Sequence, residues 1–127
     1  MSNFKHFKWR EFDCKSGEGR GIDNMDENFI WMVDDAREIA GVPFIITSGF
    51  RTKKYNKLLM EEGYKTSKDS SHIKGLAVDI STPDSISRYK ILSALLQIGF
   101  NRIGIGNNFI HCDIDSNKQQ NLIWTYY

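Results

Sequence analysis

Two residues able to bind a metal or move a proton, His72 and Asp79, stand in one short stretch, Ser70-Ser71-His72-Ile73-Lys74-Gly75-Leu76-Ala77-Val78-Asp79-Ile80-Ser81. The stretch begins polar, turns at Gly75 and ends in alternation. Leu76, Val78 and Ile80 share one face of the implied strand, and Ala77, Asp79 and Ser81 share the other. In a half-buried strand the apolar face goes to the core. Asp79 then lies on the open face, beside an alanine that leaves room. His72 precedes a turn able to fold it back over Asp79. Together they are candidate metal ligands or an acid–base pair, and this stretch alone leaves both open.

A second strand, Phe109-Ile110-His111-Cys112-Asp113-Ile114, repeats the pattern. Ile110, Cys112 and Ile114 share one face, with Phe109, His111 and Asp113 on the other. The chain has three histidines, and two of them lie near acids on apparent sheet surfaces. Two imidazoles, one carboxylate and an open position are what catalytic zinc requires. Such a metal lowers the pKa of its water to about 7, and a nearby carboxylate can take the proton. Asp113 follows His111 by two residues on the same face, which suits that task. Taken singly, each histidine is more often a hydrogen-bonded surface or core residue, and Asp79 could cap a turn. The joint pattern weighs more, because a polar group buried in an apolar strand needs a partner. His6 has no such context and is read as structural. Arg51 leaves a strand in Ser48-Gly49-Phe50-Arg51-Thr52, where functional side chains collect; its plainer reading is a surface salt bridge.

Helix signals frame these strands. Met25, Phe29, Met32, Val33, Ala36 and Ala40 predict a helix over 25–40, with Asp26 and Glu27 at its N-terminal end and Gly41 stopping it. Pro43-Phe44-Ile45-Ile46-Thr47 reads as a buried strand. Residues 53–62 read as a short helix with Tyr55, Leu58 and Leu59 inward, closed by Gly63. A second strong helix follows Thr82-Pro83, capped by Asp84 or Ser85. Ile91, Leu92, Leu95, Leu96 and Ile98 give it a wide apolar face, and Gly99 ends it. Arg102–Ile105 and Phe109–Ile114 flank Gly106-Asn107-Asn108 and predict a hairpin. Leu122–Tyr126 is a predicted final strand. Residues 1–24 read as an irregular arm whose Phe4, Phe7, Trp9 and Phe12 pack on the domain, with a helical turn over 9–12. Ser16–Gly21 is a glycine-rich loop. Its phosphate-cradling reading is weak, because no strand leads in and no Lys-Ser/Thr follows.

A length of 127 residues predicts one domain, 1–127. At 40% hydrophobic and 13% aromatic the chain has enough for a core and is too apolar for disorder. Lys plus Arg number 17 and Asp plus Glu 16, a net charge of +1 that argues against a general nucleic-acid binder. No apolar run approaches a membrane span. Met1-Ser2-Asn3-Phe4-Lys5-His6 leads into charge and tryptophan, so no secretory signal is read. Cys14 and Cys112 form no CxxC pair, which disfavours a thiolate zinc site. Two free thiols are expected, Cys112 buried in a strand.

Ser48-Gly49-Phe50-Arg51-Thr52, Ser71-His72-Ile73-Lys74-Gly75-Leu76-Ala77-Val78-Asp79 and Phe109-Ile110-His111-Cys112-Asp113 together resemble the three motifs of the M15 zinc peptidases. These are D-Ala-D-Ala carboxypeptidase-like enzymes acting on peptidoglycan peptides, bacterial and phage wall hydrolases (endolysins) among them. The likeness runs from Glu11 to Trp124 and is strongest to the compact subgroup ending in His-x-Asp. It implies an α+β fold of DD-peptidase/hedgehog type, a small and mostly antiparallel sheet with packed helices. It implies that His72, Asp79 and His111 bind Zn²⁺, and that Asp113 is the general base or a partner behind the ligands. Arg51 falls where the family arginine engages substrate, pairing with a carboxylate or steadying an oxyanion. Ser71 would hydrogen-bond the substrate or order its loop. Two departures stand out. Other branches carry a glutamate or histidine shortly before the last ligand, where this chain has Asn107-Asn108-Phe109-Ile110. Relatives often show Cys-x-Cys-Gly where this chain has Cys14-Lys15-Ser16-Gly17.

The expectation is a monomeric zinc peptidase that cuts peptidoglycan stem peptides or cross-bridges, without membrane insertion, and is phage-encoded or delivered by another route. The rivals are a zinc-holding wall-binding module that does not cleave and a phage structural component with a vestigial pocket. A serine hydrolase would need a histidine of its own, and both candidates serve better as ligands.

Overall fold

The computed structural model describes residues 3–127. After a 3-10 turn at Trp9–Phe12 come helices α1 (Gly21–Asn24) and α2 (Glu27–Ala40), strand β1 (Ile46–Ser48) and helix α3 (Lys53–Glu61). Strand β2 (Ala77–Ser81), helix α4 (Ser85–Ile98) and strands β3 (Arg102–Ile105), β4 (Phe109–Asp113) and β5 (Leu122–Thr125) follow. The strands form one sheet in the order β1-β2-β4-β3-β5. Its pairings are antiparallel except β3 with β5, which run parallel. The fold is α+β, as the sequence pattern and the resemblance both imply. No helix among the described residues is long and apolar enough to cross a membrane.

The two faces of the sheet divide as the alternation predicts. Val78, Ile80, Ile103, Ile110 and Cys112 are fully buried in one core with Phe29, Ile30 and Val33 of α2 and Ile91 and Leu95 of α4. The opposite face carries a row that crosses all five strands: Ser48 pairs with Asp79, Asp79 with His111, His111 with Gly104, and Gly104 with Trp124. Ser48 reaches this face through a register irregularity after Ile46, which itself pairs with Ile80. An extra residue of this kind re-aims a side chain at a sheet edge.

The caps show why the helices begin and end where they do. Asp26 accepts from Phe29 N at 2.9 Å and Asp84 from Ser87 N at 2.7 Å. Gly41 and Gly99 close α2 and α4 in the left-handed region, at φ 67° and 109°. α2 starts at Glu27 rather than Met25, because the Met25 amide bonds Gly21 O and closes α1.

Several expectations need correction. The arm is not irregular throughout: α1 starts at Gly21, whose N–H donates to Asp13, and Asp34 anchors the Lys5 and His6 amides. Pro43 and Phe44 lie before the strand, since a proline offers no ladder donor and β1 begins only at Ile46. Leu58 points outward at 47% exposure, and the buried residue of α3 is Asn56. The inner face of α3 meets a polar network rather than the core: Asn56 accepts from Arg51 and Thr66 and donates to Ser67 O. On α4, Leu96 is also exposed, because Ile91, Ala94 and Leu95 already define the buried stripe. Cys14 and Cys112 are free, with Cys112 buried in β4 as expected and Cys14 buried as well.

The 70–75 turn is fixed by Gly75, at φ +72°, whose carbonyl accepts from Asp26 N at 3.0 Å. A Cβ at this position would collide with the Asn24 carbonyl. Gly75→Ala is therefore expected to destabilise the fold by about 2–3 kcal/mol or more in urea unfolding. Gly63→Ala, at φ +89° with open space around it, should cost only about 1 kcal/mol. Equal losses for the two variants would show that packing at Gly75 is unimportant.

Candidate metal centre

The fold converges His72, Asp79 and His111, with one possible ligand atom from each lying within 4.8 Å of the others. β2 and β4 supply Asp79 and His111 as direct cross-strand partners. The 70–75 turn brings in His72, because Arg51 N and Gly75 N both bond its carbonyl. Asp79 Oδ1 lies 3.3 Å from His72 Nε2 and 3.1 Å from His111 Nδ1.

The outer nitrogen of each ring fixes its tautomer. His72 Nδ1 faces Gly49 O at 2.8 Å, and His111 Nε2 faces Asp113 Oδ2 at 2.7 Å. Both outer partners only accept, so each can hold a ring proton on the outward nitrogen when a cation takes the inner one, which lies beside Asp79 Oδ1. Two imidazole nitrogens and a carboxylate oxygen converging on one point can ligate a cation. Zinc bonds of about 2.0–2.1 Å in tetrahedral array put ligand atoms about 3.3 Å apart, close to the separations found. The donor set therefore fits zinc.

The electrostatics agree. Burial first of all lowers the His72 pKa. Burial also opposes the charge on His111, but hydrogen bonds to Asp113 and Asp79 outweigh it and raise that ring above its ordinary value. Burial would raise Asp79, yet the two imidazoles outweigh it and hold the carboxyl far below the usual range. Positive charge is favoured at the centre.

Arg51 is near Asp79 and largely buried. Nε donates to Ser48 Oγ at 2.9 Å, Nη1 to Thr66 Oγ1 at 3.0 Å and Asn56 Oδ1 at 3.3 Å, and Nη2 to Asp79 Oδ2 at 3.3 Å. Burial pulls its pKa down against the opposing pull of Asp79. Asp113 lies behind His111, 1% exposed. Its Oδ1 accepts from Arg102 Nε at 2.6 Å and Asp115 N at 3.0 Å, while Oδ2 faces His111. Both oxygens are thus engaged. Ser71 is 3% exposed and donates to Asp115 Oδ2 at 2.7 Å, where Lys74 also bonds at 2.9 Å. Of its two expected tasks, this is the geometry of loop ordering. His6 stays apart, with its ring 3.2 Å from Glu38.

Arg51, Ser71, His72, Asp79, His111 and Asp113 line a cleft of about 890 Å³ that also includes Tyr64, Lys65, Trp124 and Tyr126. The peptidase M15 family profile matches residues 5–113. The chain belongs to that family. A comparison with curated proteins finds no match. Residues 5–113 contain Arg51, His72, Asp79, His111 and Asp113, so the convergent site of this M15 peptidase lies within the matched span. The family is generally zinc-dependent, in line with the donor set.

Sequence reasoning missed Asn56, Thr66, Arg102 and Asp115, which hold the site from behind, and it placed Trp124 and Tyr126 on a strand without assigning them to the cleft. Alternation along Leu122–Tyr126 carries the signal for the aromatics. Nothing local marks Asn56.

One zinc per chain is the expected result of metal titration on the purified M15 peptidase. A ligand present at 100 times its Kd raises stability by about 2.7 kcal/mol, so melting should rise with zinc and fall on chelation. Asp79→Asn should remove most of that response. Zinc-independent melting of the parent chain would sink the metal assignment.

Proposed function

We propose that the chain hydrolyses a peptide bond in peptidoglycan stem peptides or cross-bridges, with Zn²⁺ held by His72, Asp79 and His111. The observation that carries this reading is the His–Asp–His convergence on the wall of an open cleft in an M15 peptidase. Bound zinc supplies a Lewis acid that polarises a carbonyl and brings the pKa of a water to about 7.

The chain's own residues do the rest. His72 and His111 present lone pairs because Gly49 O and Asp113 hold their outer protons. Asp113 is the positioning residue of His111 and keeps that ring basic. Direct proton shuttling by Asp113 would require release of one of its hydrogen bonds from Arg102, Asp115 or His111. Arg51 orients the substrate from the cleft wall, its guanidinium fixed in place by Ser48, Asn56 and Thr66. Ser71 contributes through its loop, which Asp115 anchors.

A second reading has one observation in its favour. No acid stands in Asn107–Ile110, and both Asp113 oxygens are engaged, so a zinc-holding wall-binding module without cleavage is the alternative.

Mass spectrometry of muropeptides separates the two. The zinc-loaded protein should release new peptide termini, and His111→Ala and chelation should abolish them. Asp113→Asn should weaken zinc affinity by about 10–100-fold. Bound zinc with an unchanged muropeptide pattern would leave the binding module as the function. Unaltered zinc affinity in Asp113→Asn would remove its positioning role.

A further inference from the structure

Gly104 stands between His111 and Trp124 in the cross-strand row. A Cβ there would meet Trp124 Nε1 at 2.6 Å and Tyr126 Cε2 at 2.6 Å, so both aromatics lie directly on the bare strand. The Trp124 ring sits 5.4 Å from the His111 ring, with the Arg102 guanidinium 5.1 Å from its centroid. Tyr126 packs against Phe109 at 5.0 Å and against Trp124 at 6.3 Å. Its backbone carbonyl accepts from Lys65 Nζ, which lines the same cleft. The ring is therefore positioned by Gly104, Phe109 and Trp124.

Tyr126 lines the same cleft as Arg51, His72, Asp79 and His111. Its hydroxyl lies beside the Trp124 indole and feels the charges of Asp79, Arg51 and Asp113. Among the described residues no hydrogen bond has that hydroxyl as donor. Trp124 and Tyr126 both lie beyond residues 5–113, outside the span matched by the family profile.

We propose that Tyr126 is a catalytic residue whose hydroxyl donates a hydrogen bond to the substrate carbonyl oxygen as negative charge develops there. This rests on the peptidase reading above. In the step it serves, a water oxygen bonds to the carbonyl carbon and the C=O π pair moves onto the carbonyl oxygen. That pair then re-forms the C=O bond as the C–N bond breaks and the amine takes a proton from the attacking water. Tyr126 keeps its own proton throughout. Burial first, and beside it the Asp79 charge, push its pKa up to about 12, in keeping with a neutral donor near pH 7. A fixed O–H costs little reorganisation, and removing one such donor costs about 10²–10³ in kcat.

Tyr126→Phe keeps the ring and its packing and deletes only the donor. Zinc stoichiometry and melting temperature are expected to stay at parent values, while kcat falls about 10²-fold with KM changed little. A second readout does not depend on turnover: a phosphinate analogue of the bond found cut, measured by calorimetry on zinc-loaded protein. Its affinity should fall by a comparable factor in Tyr126→Phe, and affinity for the product peptide should not. Parent cleavage with undiminished kcat in Tyr126→Phe, or unchanged phosphinate affinity, overturns the role of Tyr126 alone. A parent protein that binds zinc and cuts nothing overturns the peptidase reading and this inference together.

Discussion

Asp79 Oδ1 faces one imidazole nitrogen at 3.1 Å and another at 3.3 Å, so a carboxylate and two rings converge on one buried point. In a buried, low-dielectric place a carboxylate is unfavourable without positive charge beside it. Without metal, the centre compensates in part by raising the His111 pKa. The arrangement persists because each ring is held from outside, by Gly49 O and by Asp113. Those outer partners are held in turn. The backbone beside Gly49 packs on Phe12, where a Cβ on Gly49 would meet the Phe12 backbone at 2.7 Å, and Phe50 N bonds Phe12 O at 2.9 Å. The N-terminal arm thus supports a metal ligand through a backbone carbonyl.

The sheet turns this local demand into a general arrangement. One face supplies the core, and the other carries Ser48, Asp79, His111, Gly104 and Trp124 across the strands in register. A one-residue slip of β4 against β2 would send His111 into the core and bring Cys112 out. Val78, Ile80, Ile110 and Cys112, all fully buried, oppose such a slip. The same burial that stabilises the fold therefore sets the separation of the ligands.

Much of this was legible in the sequence because strand alternation is a local property. Val78 and Ile80 against Asp79, and Ile110 and Cys112 against His111 and Asp113, declare both faces within a few residues. The turn at Gly75 was legible for the same reason. Three features were not. The irregularity between Ile46 and Ser48 depends on the partner strand. The inward turn of Asn56 depends on Arg51 and Thr66, 5 and 10 residues away, so leucine spacing misled at Leu58. The use of Asp113 depends on Arg102, 11 residues earlier. His-x-Asp spacing puts both side chains on one face, but only the tertiary neighbours show which groups the carboxylate serves.

The paired guanidiniums bear on how strongly a bound cation can act. Asp79 and Asp113 would together offset most of the charge of a divalent ion. Arg51 lies 3.3 Å from the first and Arg102 2.6 Å from the second, both largely buried, so each carboxylate already has its own counter-charge. Asp79 can still offer Oδ1 to a metal while Oδ2 stays with Arg51. Asp113 can still orient His111 while its charge is matched by Arg102. A cation held at Asp79 would therefore not be fully neutralised by these two carboxylates. Under the proposed peptidase reading, a carbonyl brought into the cleft would meet a centre that keeps net positive charge, the condition for polarising it.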